Sequence, residues 1–358
     1  MWLFKNKRIC VEEDGLEKAA GRFGAFLKRK DINISLRVYF IDAMGAMAYG
    51  LFTSLLIGTI FSTLGNELGI PFFIELADFA KDATGAALGI SIAWALKSPK
   101  LVLFSSAAVG LAGNALGGPV GAFIATIIAA ELGKLVYGET KVDIIVTPAV
   151  CIVSGVAVAM LAGPAVSALM TAFGSLIMTA TSMQPIIMGI IVSALMGIAL
   201  TLPISSAAIC IMLNLGGIAA GAATAGCCAQ MIGFAVMSFK ENRWGGLIAQ
   251  GLGTSMLQMP NIIKNPRIWI PPTLASMITG PIATSVFGLK NIPVGAGMGT
   301  CGLVGPFGII SAMPEGGASM WIGIALVCFI LPAVLTLLFS TVLRRIGWIK
   351  EGDLKLQQ

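Results

Sequence analysis

The sequence predicts an all-α, polytopic integral membrane protein with about ten transmembrane helices and re-entrant hairpins. Three observations carry that prediction. Hydrophobic residues fill 57% of the chain and charged residues only 11%, against about a quarter charged in an ordinary soluble domain, too few to cover a water-facing surface. No Lys, Arg, Asp or Glu occurs from Ile144 to Phe239. At about 20 apolar residues per crossing of roughly 30 Å of hydrocarbon, that stretch alone holds four crossings. The basic residues gather at the ends, with Lys28, Arg29 and Lys30 before the first apolar segment and Arg344, Arg345, Lys350 and Lys355 after the last. This is positive-inside asymmetry rather than the one-sided basic face of a nucleic-acid binder, and it puts both ends of the chain in the cytoplasm.

Taken in order, residues 1–37 form a cytoplasmic basic segment without the apolar core of a secretory signal. Within it, residues 15–30 read as a short amphipathic helix, lying on the inner membrane surface or solvated. The transmembrane domain spans 38–345, and a cytoplasmic tail follows at 346–358. The first crossing opens near Tyr39, and Asp42, five residues from Arg37, is expected to form an interfacial salt bridge. Glu75, Asp78, Lys81 and Asp82 fall at helical spacing, so that segment reads as a solvated or interfacial helix. Eleven further apolar pieces follow, at 84–97, 101–114, 118–137, 143–162, 165–182, 186–201, 205–220, 222–239, 270–288, 294–312 and 318–343. Several are under 18 residues, so some are half-crossings, whose broken backbone is tolerated only against protein or a water-filled cavity.

Residues 245–280 are too polar for a plain crossing and too apolar for a loop. They read as a re-entrant hairpin, a turn at Lys264-Asn265-Pro266-Arg267 and an interfacial helix starting at Trp269. The Gly-rich run from Pro293 to Gly308 reads as exposed backbone beside a translocation path or as close helix packing.

Residues 114–133 and 214–233 match without gaps at Asn114/Asn214, Gly117/Gly217, Gly121/Gly221, Ala122/Ala222, Ala125/Ala225, Ala129/Ala229 and Gly133/Gly233. Either the chain carries a two-fold internal repeat, with its Asn-Gly-Gly breaks facing one another as in many secondary transporters, or the likeness reflects shared helix-packing composition.

Polar groups inside apolar helices are costly and so mark candidate sites. Glu131 is the foremost, with Lys134 one turn away. It either binds substrate hydroxyls or titrates with a coupled proton, or the pair simply marks the helix end at the interface. Gln230 is the nearest polar residue in the aligned second copy. Gln250, Thr254, Gln258 and Asn261 offer amides and a hydroxyl that suit a neutral polyol without burying charge. Asn114 and Asn214 sit at the two breaks, and Glu315 lies in a Gly-rich break that reads most simply as an external loop. The seven cysteines lack metal or redox spacing and the chain has no His, so neither a metal, a cofactor nor catalysis is expected.

The run GLGTSMLQMPNIIKNPRIWIPPTLASMITGPIATSVF, followed by PVGAGMGTCGLVGPFG, resembles the EIIC-type membrane components of the bacterial phosphotransferase system, including the PfoR-type regulators of Gram-positive bacteria. The likeness extends from about Ile34 to Trp348. It implies a permease of the bacterial cytoplasmic membrane that carries a small polar, sugar-like solute by alternating access, usually as a homodimer. Sensing without transport is the alternative. It also implies separate cytosolic phosphotransferase subunits, because the His and Cys acceptors of that relay have no counterpart here. The partners expected are the solute, the lipid bilayer, a second copy and such subunits, and not nucleic acid.

Overall fold

The computed structural model describes residues 26–32, 35 and 37–356. The expected helix at 15–30 therefore lies outside the described residues except for its last turn, which is helical at 26–29. The protein is all-α: among the described residues the only β pairing is an isolated bridge between Gly217 and Asn291. Five helices are long and apolar enough to cross a membrane: α1 (Val38–Asn66), α4 (Lys100–Val136), α5 (Asp143–Thr181), α8 (Gly217–Met237) and α14 (Gly317–Arg345). Between them lie shorter pieces: α2 (Pro71–Asp82), α3 (Thr84–Ala95), α6 (Pro185–Thr201), α7 (Ser206–Met212), α9 (Phe239–Ile248), α10 (Met259–Lys264), α11 (Ile270–Pro281), α12 (Pro293–Ala296) and α13 (Val304–Ala312).

The break in α4 comes from its sequence. In Gly117-Gly118-Pro119, Gly118 takes φ +60°, a left-handed conformation open to glycine at little cost, and Pro119 removes a helix hydrogen bond. The chain folds back there as a hairpin: Gly113 packs against Ala122 and Gly133 against Val102. What looks like a 37-residue helix is thus two antiparallel legs. By contrast α5 runs its 39 residues, about 58 Å at 1.5 Å per residue, through Pro148 and Pro164 without a non-helical residue. Its first half packs along the α4 hairpin, through Cys151 on Val102 and Gly163 on Leu116. Its second half packs on α6 and α7, through Ile177 and the contact of Gly174 with Leu213.

The segment expected as a solvated or interfacial helix is α2, with Glu75, Asp78 and Asp82 exposed. The expected ion pair between Asp42 and Arg37 is absent. The six described cysteines are free and buried between helices.

The charged termini of the elements collect at one end. Arg29 and Lys30 pair with Glu139 at 2.8 and 2.6 Å, and Arg344 with Glu241 at 3.0 Å. Hydrogen bonding from Lys30, together with the nearby Arg29 charge, holds the Glu139 carboxyl below the ordinary carboxylate range. The described part of the tail, residues 346–356, lies against the body at this end, with Leu354 fully buried.

Candidate functional site

Four breaks in the helical framework converge on one point. The first is Gly117-Gly118-Pro119. The second is Leu202–Ser205, where Pro203 separates α6 from α7 and the Ser205 hydroxyl caps α7 by accepting from Ala208 N at 3.2 Å. The third is the turn Ala249–Gly253 with Thr254, which leaves helical geometry at φ −158°, ψ 142°. The fourth runs from Gly297 to Leu303, where Gly299 and Gly302 have positive φ.

Side chains stitch these breaks together across the interior. Ser206 Oγ donates to the Gly297 carbonyl at 2.6 Å, and Thr300 Oγ1 to the Gly251 carbonyl at 2.5 Å. The Thr201 and Ser255 hydroxyls share a hydrogen bond of 2.9 Å. Asn291, 2% exposed, secures the fourth break by donating to Thr224 Oγ1 at 2.6 Å and to the Gly305 carbonyl at 3.0 Å. Buried backbone polar groups need partners of this kind, and water in the bilayer core does not supply them.

At the junction lies a cavity of about 70 Å³, lined by Leu51, Leu55 and Leu56 of α1, by Pro119, by Pro203 to Ala207, by Gly253, Thr254 and Met256, and by Met298 and Cys301. It adjoins a second cavity of about 300 Å³ lined by Asn114 to Val120, Val166, Ser167, Met170, Ser205 and Ala208. The two share Pro119, Pro203, Ile204 and Ser205. No Lys, Arg, Asp or Glu lines either one. Thr254 Oγ1 accepts from Met256 N, and Ser205 Oγ from Ala208 N. Among the described residues neither hydroxyl donates, so each keeps a spare O–H.

Of the residues singled out from sequence, Thr254 and Asn114 line these cavities. Gln230 sits one layer behind: its Nε2 donates to Thr273 Oγ1 at 3.1 Å, and its Oε1 accepts from Trp269 Nε1 at 3.1 Å and Thr201 Oγ1 at 3.3 Å. Gln250, Gln258 and Asn261 form a separate buried amide chain toward the charged end. Asn261 Nδ2 donates to Gln258 Oε1 at 2.8 Å, and Gln258 Nε2 to Gln250 Oε1 at 2.9 Å.

Glu131 belongs to neither group. Its carboxylate lies 3.0 Å from Lys134 Nζ, off the hydrogen-bond line, and accepts from Tyr39 Oη at 3.3 Å. Lys134, 2% exposed, also donates to the carbonyls of Asp31 and Leu96. Replacing Lys134 by Met is expected to lower stability by about 3–5 kcal/mol, because a nearly buried carboxylate loses its counter-ion. Adding Glu131→Gln to Lys134→Met should recover much of the loss. Thermal unfolding of both variants in detergent checks it.

Asn214 and Glu315 are exposed at the opposite end. The expected facing of the two Asn-Gly-Gly breaks is corrected: the first break faces Leu202–Ser205, not Asn214–Gly217. Helix α7 lines the larger cavity as far as Met212, but Asn214 beyond it is exposed, and Gly217 exchanges both backbone hydrogen bonds with Asn291 at 3.1 Å. Ser205, Ser206, Met298 and Cys301 were missed as lining residues. The signal for the two serines was present as Pro203 followed by a Ser N-cap between two apolar runs.

A polytopic membrane protein whose broken helices line an uncharged cavity has the build of a permease. The particular kind follows from comparison: residues 41–356 match the family described as Phosphotransferase system, EIIC, and the chain belongs to that family of membrane permease components. No curated protein and no solved structure matches.

Proposed function

We propose that the protein carries a small, neutral, polyhydroxylated solute of the sugar class across the bacterial cytoplasmic membrane by alternating access, with the paired cavities around Thr254, Ser205 and Asn114 as the solute site. The observation that carries this reading is the convergence of four helix breaks on a cavity lined by no charged residue. Solute sites of membrane carriers are built at such discontinuities. Spare hydroxyl donors, exposed main chain and a Leu, Ile and Met lining suit hydroxyls and sugar faces, whereas a carboxylate or ammonium entering there would lack a counter-charge.

The charged end, with Lys134, Lys141, Lys240, Arg243, Lys264, Arg344 and Arg345, faces the cytoplasm on this reading. Phosphoryl transfer to the solute falls to separate subunits that dock there, since the chain has no His. A homodimer is the assembly expected of the class. Sensing without transport is favoured by one observation, the fastening of residues 29 and 30 to Glu139 beside the α4 hairpin, which ties the basic segment to the membrane domain.

Purified protein should be stabilised by neutral sugars or polyols in a thermal-shift panel, by about 2.7 kcal/mol at a hundred times the dissociation constant. Neutral, acidic and basic solutes are compared at equal concentration. Stabilisation by charged solutes alone, or by none of the panel, sinks the reading.

A further inference from the structure

The amide chain of Gln250, Gln258 and Asn261 is saturated by residues of the same protein that follow its last helix. The Leu354 carbonyl accepts from Asn242 Nδ2 at 2.7 Å and Gln258 Nε2 at 2.9 Å, and the Lys355 carbonyl from Asn261 Nδ2 at 3.0 Å. In return Leu356 N donates to Asn242 Oδ1 at 2.9 Å. Asn265 Nδ2 donates to the Trp348 carbonyl and to Asp353 Oδ2, and the Arg267 guanidinium lies 5.1 Å over the Trp348 ring. Ile349 and Leu354, 2% and 0% exposed, are inserted among Met237, Ile262 and Leu343.

We propose that residues 347–356 are a removable strap that closes the charged-end route into the central cavity, with Leu354 as its stopper. This rests on the cavity being the solute site. The strap is linked to the cavity wall through side chains: Gln258, which holds Leu354, also donates to Gln250, and Gln250 lies in the turn whose Gly253 and the following Thr254 line the cavity. Loosening the strap therefore loosens that wall.

Three features make it removable rather than part of the permanent core. Its hold on the amides is by main-chain carbonyls at the water-facing end, so on release water replaces them, unlike the partners of Gln230, which lie on neighbouring helices. Gly347 at φ +80° and Gly352 at φ +91° give it hinges. Lys350, Glu351 and Gly352, between the two inserted residues, are exposed.

Cys301 lines the cavity and reports on its accessibility without engineering. A membrane-impermeant charged thiol reagent is applied from the charged-end side, and modification of the Cys301 peptide is followed by mass spectrometry, with Cys301→Ser as background. Leu354→Asp withdraws the stopper, and Gln258→Leu removes its hydrogen-bond donor from the opposite side of the contact. Both should raise the modification rate at Cys301 at least tenfold over the parent protein. Equal rates in the parent and both variants overturn the strap. The readout involves no solute, so faster modification without any solute binding overturns the solute reading and leaves the strap standing.

Discussion

Gly226→Val is expected to abolish the folded membrane domain. A Cβ at Gly226 would lie 1.9 Å from the carbonyl oxygen of Ser193, far inside van der Waals contact. The opposing atom is backbone on α6, itself locked because Ser193 Oγ donates to the Ser276 carbonyl of α11 at 2.7 Å. Overpacking commonly costs about 1–3 kcal/mol where side chains give way. Here two backbones must separate, and the loss should exceed about 4 kcal/mol, the range reserved for severe core damage. Small residues at helix contacts are what let membrane helices approach this closely. Gly245, with no atom within 4 Å of a built Cβ, serves as the control, and Gly245→Ala should stay within about 0.5 kcal/mol. Monodisperse yield and thermal midpoint in detergent separate the two; a Gly226→Val protein that unfolds like the parent would disprove the helix contact.

Ile204→Trp should remove transport while leaving the protein folded. Ile204 lines both cavities and is only partly buried, so an indole has room to enter the shared space instead of displacing helix backbone. Filling that space should cut solute accumulation in cells at least tenfold, which corresponds to about 1.4 kcal/mol or more. Membrane expression and thermal midpoint should stay near those of the parent. Unaltered uptake by a well-expressed Ile204→Trp protein would move the solute site elsewhere.

The two substitutions touch what sequence reading reached unevenly. Breaks at Gly117-Gly118-Pro119, within 245–280 and within 293–308 were legible because Gly and Pro act on the backbone locally, whatever surrounds them. The ion pair of Glu131 and Lys134 was legible for the same reason, through its one-turn spacing. Neither kind of signal says which breaks meet. Asn114 and Asn214 looked alike in composition, yet one lines a cavity and the other is exposed. Ser205, a plain cap by sequence, lies at the centre.

The strip of amides shows the same limit. Gln250, Gln258 and Asn261 were read from the sequence as amides suited to a neutral polyol; in the structure they are buried. Gln258 and Asn261 are held by the carbonyls of Leu354 and Lys355, about a hundred residues along the chain, and Gln250 by Ser238 and Gly246. The uncharged, apolar mass determined by itself that this chain lives in a membrane as helices, since free energy of transfer depends on composition over each 20-residue stretch. Only the tertiary structure decided that four breaks line one cavity and that residues 347–356 pack on the amides of Asn242, Gln258 and Asn261. Those outcomes depend on which small residues of distant helices come into contact, and in so uniformly apolar a chain many pairings share the same local sequence preferences.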